Sequence, residues 1–266
     1  MSYSEEQDFA EKEAALATML RCIEGKCNQL QDLRALEIGG SGGILAGLVS
    51  QYVDHVISTD IDDTLAKYEG QFSYLLKQKF QRNGRNFDVG KVEFLWADAQ
   101  DIPFKDNLFS LVFSHNVFEH IPDPLTALRE IIRVTALGGI VYLSFDPVWT
   151  ADSGSHFFHY IRVPWQHLIS SDAEIAALMK TNGASDEEIL SYKQDMNRHP
   201  AAYYRDNIPR IAAEMGTEIL YHSSYSGCTN DTYVNHPNRE VAAWRLNCEP
   251  DDLLIRNFQF LIRKPA

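Results

Sequence analysis

The stretch ALEIGGSGGIL, residues 35–45, decides the fold. An apolar run from Ala35 to Ile38 is followed by Gly39, Gly40, Gly42 and Gly43 around Ser41, and then by the apolar start of another segment. That order reads as strand, tight turn and helix start. Glycines in such a turn let the backbone approach a ligand closely, and the helix behind it offers its amino end.

Working outward, further apolar runs occur at His55–Thr59, Val92–Trp96, Leu108–Ser114 and Ile140–Phe145. Helical patterns fall between most of them, over 44–52, 63–80 and 124–136, the last predicted to stop at Gly138 and Gly139. Alternation of this kind predicts an α/β fold with a parallel, doubly wound sheet. Phe9, Leu16, Met19, Leu20 and Ile23 lie at helical spacing ahead of the first strand. That helix either packs on the sheet or caps the ligand pocket. After Phe145 the sequence turns to a segment rich in Trp, His, Tyr and Pro, followed by a helical block opened by a Ser185/Glu188 capping box. Glu218–Tyr221 and Phe258–Ile262 read as closing strands.

The charged residues around the turn specify the ligand further. Asp60 ends the second strand, with Ile61 beside it, where a carboxylate can accept hydrogen bonds from both ribose hydroxyls. Glu37 sits inside the first strand just before the turn, a poor neighbour for a pyrophosphate. A carboxylate there suits a cationic ligand, such as a sulfonium bearing an α-amino group. Asp98 and Ala99 follow the third strand, where they can meet an adenine ring, and Ser114, His115 and Asn116 end the fourth. The alternative reading makes Asp60 a helix cap and Asp98 a turn residue before Pro103, with ligand contact the favoured reading of both.

With Glu37, Gly39, Gly43, Asp60, Asp98 and SHNVFEHIPDP in this order, residues 33–146 resemble the class I S-adenosylmethionine-dependent methyltransferases. The resemblance implies a Rossmann-like sheet of seven strands, the last antiparallel, with the cofactor across the carboxyl ends of strands one to four. It assigns Glu37 and Gly39 to the methionine moiety, Asp60 to the ribose and Asp98 to the adenine. Gly40, Ser41, Gly43, Ile61, Ala99, Ser114, His115 and Asn116 complete the expected cofactor set. Where the family reads acid-x-Gly-x-Gly-x-Gly, this chain places Ser41 at the middle glycine. PDDLLIRNFQFLIRKP and GSHFFHYIRVPWQHL resemble methyltransferases of surface-polysaccharide and lipopolysaccharide biosynthesis, which implies a small-molecule or sugar-containing acceptor.

The expected organisation is one domain over 1–266, with a helical cap (1–32), a cofactor-binding core (33–146), an acceptor-side insertion after the fifth strand (147–216) and closing strands (217–266). Within the insertion, His156, His159, Tyr160, Trp165 and His167 suit either an acceptor pocket or a packed lid. If the acceptor is a hydroxyl, His156 or His159 is the expected general base, with His115 next. His156 and His159 lie three apart without a supporting carboxylate motif, so no metal is assigned.

Composition narrows the classes. A net charge of -13 with scattered basic residues argues against nucleic acid as substrate. Cys22, Cys27, Cys228 and Cys248 show no CxxC pairing and read as reduced cysteines. The acidic amino terminus lacks an apolar h-region, and no long uncharged run suggests a membrane span, so a cytoplasmic protein is expected. A nicotinamide-dependent reductase would need a Tyr-x-x-x-Lys pair, which none of the 12 tyrosines supplies. A non-catalytic cofactor-binding or scaffolding protein is the other alternative, and the altered glycine turn is the feature in its favour.

Overall fold

A computed structural model describes residues 4–27, 30–226 and 231–266. Cys228 lies outside them; Cys22, Cys27 and Cys248 are free thiols. The chain runs α1 (Glu5–Ile23), β1 (Arg34–Ile38), α2 (Ile44–Val49), β2 (His55–Asp60), α3 (Thr64–Lys67), α4 (Phe72–Arg82), β3 (Val92–Trp96), β4 (Phe109–His115), α5 (Pro124–Val134) and β5 (Thr135–Phe145). It continues with α6 (Gln166–Ile169), α7 (Asp172–Thr181), α8 (Asp186–Gln194), α9 (Ala201–Glu214), β6 (Glu218–Ser226), α10 (Asp231–Val234), α11 (Pro237–Leu246) and β7 (Ile255–Arg263).

The strands form one seven-stranded sheet in the order β3-β2-β1-β4-β5-β7-β6. β1 to β5 are parallel, and β7 runs antiparallel to both β5 and β6. This is the Rossmann-like arrangement expected. Connection order reverses between β1 and β4, which opens a crevice at their carboxyl ends. Side chains alternate across β1, so Leu36 and Ile38 enter the apolar layer under α5 and α9, while Ala35 enters the layer under α1, α2 and α4. Glu37 shares the face of Ala35 and is therefore carried into the protein beneath the glycine turn.

Three sequence readings are corrected. The helix expected over 63–80 is two helices, interrupted at Gly70, whose φ of +76° suits glycine. α5 starts under an Asp123 cap and stops at Val134, ahead of the glycines, where Thr135 turns extended and its hydroxyl donates to the Ile131 carbonyl. Gly138 and Gly139 fall inside β5. The third is α11, unforeseen between β6 and β7; its Ala242 and Ala243 enter a separate apolar cluster with Trp149, Trp165, Met179 and Tyr192 of the segment after β5. No helix among the described residues is long and apolar enough to cross a membrane.

Candidate functional site

The turn after β1 forms one wall of a cavity of about 300 Å³. Its lining includes Glu37, the glycine turn from Gly39 to Gly43, His115 and Asn116, together with Asp8, Lys12 and Lys79. Glu37 is 3 % exposed and accepts a 2.6 Å hydrogen bond from the Ser58 hydroxyl. Burial raises its carboxyl to about 7; the Ser58 hydrogen bond and Lys12 oppose that rise, and Asp60 adds to it. A half-ionised acid is thus held at the floor of a cavity, a poor arrangement for an anion and a good one for an ammonium group.

The turn is shaped by close packing. Gly39 has φ +77°, and a Cβ there would lie 2.2 Å from Val117. A Cβ on Gly40 would lie 1.9 Å from the Ser58 hydroxyl and 2.7 Å from Glu37 Oε2. Gly40→Ala is expected to drive Ser58 off Glu37, destabilising the protein by about 1–3 kcal/mol through the unpaired buried group. Urea unfolding of Gly40→Ala beside Ser58→Ala checks this, since the two should lose similar stability. Ser41 takes a left-handed φ of 38°, and its amide donates a 2.7 Å hydrogen bond to Asp60 Oδ2. The serine at the middle position is therefore accommodated, with Asp60 bracing the turn while its other oxygen accepts from the Asp62 amide.

Two buried polar atoms at the wall, His115 Nε2 and Asn116 Oδ1, have no hydrogen-bond partner. Burial, assisted by Lys12, lowers the His115 imidazole to about 4, so it is neutral at physiological pH. Its carboxylate neighbour, Glu11, is 4.0 Å away. An acceptor lone pair on Asn116 facing a cavity is a position for a ligand N–H or O–H.

The structure brings Glu37, Gly39, Gly40, Ser41, Gly43, His115 and Asn116 together. Asp60 joins them through Ser41 and lies beside Ile61, which is 60 % exposed. Trp96, equally exposed, donates its indole N–H to the Ile61 carbonyl, so apolar surface flanks the Asp60 end of the crevice. Asp98 accepts from the Gln100 amide and side chain, and Ala99 packs on the core under α5. Ser114 is buried, with its hydroxyl donating to the Ile38 carbonyl of β1, so it joins strands and does not line the cavity.

The histidines after β5 separate. His159 is exposed on the surface against Tyr160. His156 turns inward, with Nε2 3.2 Å from the Pro147 carbonyl and its ring 5.0 Å from that of His120. His167 and Trp165 are core residues, bonded to the carbonyls of Trp149 and Leu253. The packed reading of this segment holds for those two.

Sequence reasoning missed Asp8, Lys12 and Lys79. Lys79 on α4 pairs with Asp8 on α1 at 3.1 Å, and both line the cavity. Helix α1 both packs on the sheet, through Phe9, Leu16, Met19 and Ile23, and caps the cavity. The signal available in advance was the acidic and basic residues on the polar face of its apolar stripe.

Residues 36–143 match the methyltransferase-domain family. An uncharacterized methyltransferase of Bacillus subtilis, YcgJ, is 27 % identical over 195 residues, 71 % of this chain and 70 % of its own. An uncharacterized methyltransferase of Mycobacterium leprae is 37 % identical over 71 residues, so this chain spans about a quarter of that relative (26 %). Among solved structures, a SAM-dependent methyltransferase from Methanosarcina mazei superposes with TM-score 0.51 at 19 % identity, over 92 % of this chain and 97 % of that one. A Bacillus halodurans protein superposes with TM-score 0.52 at 16 % identity, over 95 % and 100 %. Residues 36–143 are thus similar to a methyltransferase domain, and the fold is shared with these solved structures.

Proposed function

We propose that the protein is an S-adenosylmethionine-dependent methyltransferase acting on a small-molecule acceptor, with a sugar-containing acceptor favoured by the sequence resemblance of its tail. The observation that carries the reading is Glu37, a buried carboxyl under a glycine turn in which a Cβ at Gly40 would displace Ser58 from it. Glu37 would hold the α-ammonium of the cofactor, the Gly39–Gly43 backbone its carboxylate end, and Asp60 its ribose. The orphaned Asn116 Oδ1 and His115 Nε2 fit a polar ligand at the same wall. Asp98, with Ile61 and Trp96, remains the candidate adenine end.

When bound, S-adenosylmethionine supplies a methyl group already activated on a sulfonium. The chain's own task is then to orient and to exclude water. His115 is the candidate proton acceptor that lines the cavity, yet burial holds its conjugate acid near 4, well below the pH at which a general base is most effective. Positioning can contribute about 7–11 kcal/mol, far more than a base this weak. Turnover should therefore depend on orientation by His115 and Asn116 more than on proton removal.

Calorimetric titration with S-adenosylmethionine, S-adenosylhomocysteine and nicotinamide dinucleotides tests the reading, with Asp60→Ala alongside. Selective binding of the first two is expected, weakened in Asp60→Ala by roughly tenfold or more, since a hydrogen bond to a charged group contributes about 1.5–3 kcal/mol. Preference for a dinucleotide would overturn it.

A further inference from the structure

We propose that Glu119, His120 and His156 form a binding site for a divalent transition-metal ion of the zinc type, separate from the cavity under the glycine turn. Glu119 and His120 lie in the turn after β4, and His156 follows β5. Because β4 and β5 are parallel neighbours, their carboxyl ends bring these residues together from 36 positions apart along the chain. One carboxylate oxygen and one nitrogen from each imidazole lie within 4.8 Å of one another. Bonds of about 2.0–2.1 Å to zinc put tetrahedral ligand atoms roughly 3.3 Å apart, so modest side-chain rotation closes the set.

Glu119 supplies the observation that points to a ligand. It is 0 % exposed and neither oxygen has a hydrogen-bond partner; burial pushes its carboxyl up to about 8, a rise that the nearby amides of Glu119 and Asp146 oppose. A buried carboxyl of this kind without a partner must either hold its proton or pair with a cation, and its two unpartnered oxygens leave the place for the cation open.

The histidines are prepared in the way metal-binding histidines usually are. His120 Nδ1 is 2.7 Å from the Asp195 carbonyl, and His156 Nε2 is 3.2 Å from the Pro147 carbonyl. A carbonyl only accepts, so each of these nitrogens carries the proton. Nε2 of His120 and Nδ1 of His156 are left with free lone pairs, each ring oriented by its backbone partner. His156 is also held at a left-handed φ of 62°, a conformation that non-glycine residues seldom adopt. Two imidazoles and one carboxylate favour a borderline cation over magnesium or calcium and leave coordination positions open. The exposure of His120 puts those positions in reach of solvent. Sequence spacing assigned no metal because it paired His156 with His159; the missing carboxylate comes from the other strand end.

The test uses the full chain, stripped with a chelator and titrated with Co²⁺ as a spectroscopic probe, then with Zn²⁺ in competition. One Co²⁺ per chain is expected, with visible ligand-field bands, no sulfur-to-cobalt charge transfer and displacement by Zn²⁺. Glu119→Gln and His156→Gln should each weaken uptake by more than the roughly 10–100-fold typical of outer-shell changes. His120→Gln should do the same at an exposed position where misfolding is no explanation. His159→Gln, outside the set, should bind as the parent does. Absence of Co²⁺ uptake, a thiolate band, or uptake unchanged in His120→Gln and His156→Gln would overturn the proposal.

Discussion

Glu37→Gln is expected to lower affinity for S-adenosylhomocysteine by roughly 10–150-fold at pH 8, the equivalent of a charge-assisted hydrogen bond of about 1.5–3 kcal/mol. Glutamine keeps the shape and can still accept the Ser58 hydroxyl, so the charge is what the substitution removes. The parent carboxyl, raised by burial to about 7, is ionised at pH 8 and largely protonated at pH 5.5. Parent affinity should therefore rise with pH through 7, and the difference between parent and variant should shrink toward pH 5.5.

Stability of the ligand-free protein should move the opposite way. A carboxyl at about 7 in the folded state, against 4.5 unperturbed, binds its proton more tightly when folded. Its contribution is fully present below the unfolded value and is lost as pH rises through the folded one. At 1.36 kcal/mol per unit, the loss is about 3 kcal/mol. Glu37→Gln removes that slope and should be the more stable protein at pH 8. Urea unfolding at pH 5.5 and 8 checks this; a variant less stable than the parent at pH 8 would show that the carboxylate is stabilised by the fold and not by a ligand.

Phe9→Ala should cost about 3–5 kcal/mol, as large-to-small changes at buried aromatics do. For a chain of this size, that corresponds to a fall in Tm of roughly 6–20 °C. Phe9 is 0 % exposed, packs edge-on against Phe80 at 4.8 Å and carries the Arg85 guanidinium 4.5 Å from its ring centre. The ion pairs joining α1 to the segment 79–85, Glu5–Arg82, Asp8–Lys79, Glu6–Arg85 and Glu13–Arg85, are solvent-screened and contribute little. Burial of Phe9, Leu16, Met19 and Ile23, about 1.5–3 kcal/mol apiece, therefore dominates the docking of the helix. Since α1 also carries Asp8 and Lys12 into the cavity, affinity should fall along with Tm. Phe158→Ala, at a surface ring, is the control expected to leave both unchanged. An unaltered Tm in Phe9→Ala would mean that α1 is not anchored as described.

The parallel sheet was legible because its signals are local. Buried strands read as apolar runs, and Glu37 stands out as a charge within one of them. Gly70 was also visible, yet a lone glycine inside a helical pattern is compatible with a continuous helix, and packing of Phe72 and Leu76 decides otherwise. Residues that meet only through topology were hidden. Lys79 reaches Asp8 across 71 positions, and Glu119 and His120 meet His156 because β4 and β5 are neighbours. The directions of His156 and His159 were hidden as well, because spacing along a loop says nothing about direction. His156 takes a left-handed turn into the protein, while His159 stays on the surface.

The most direct test of the central claim is a crystal structure of the protein with S-adenosylhomocysteine. The α-amino group should lie against Glu37, with the Gly39–Gly43 turn around the amino-acid end, Asp60 on the ribose hydroxyls and α1 covering the cavity. A ligand bound elsewhere, or one whose amino group points away from Glu37, would contradict the account.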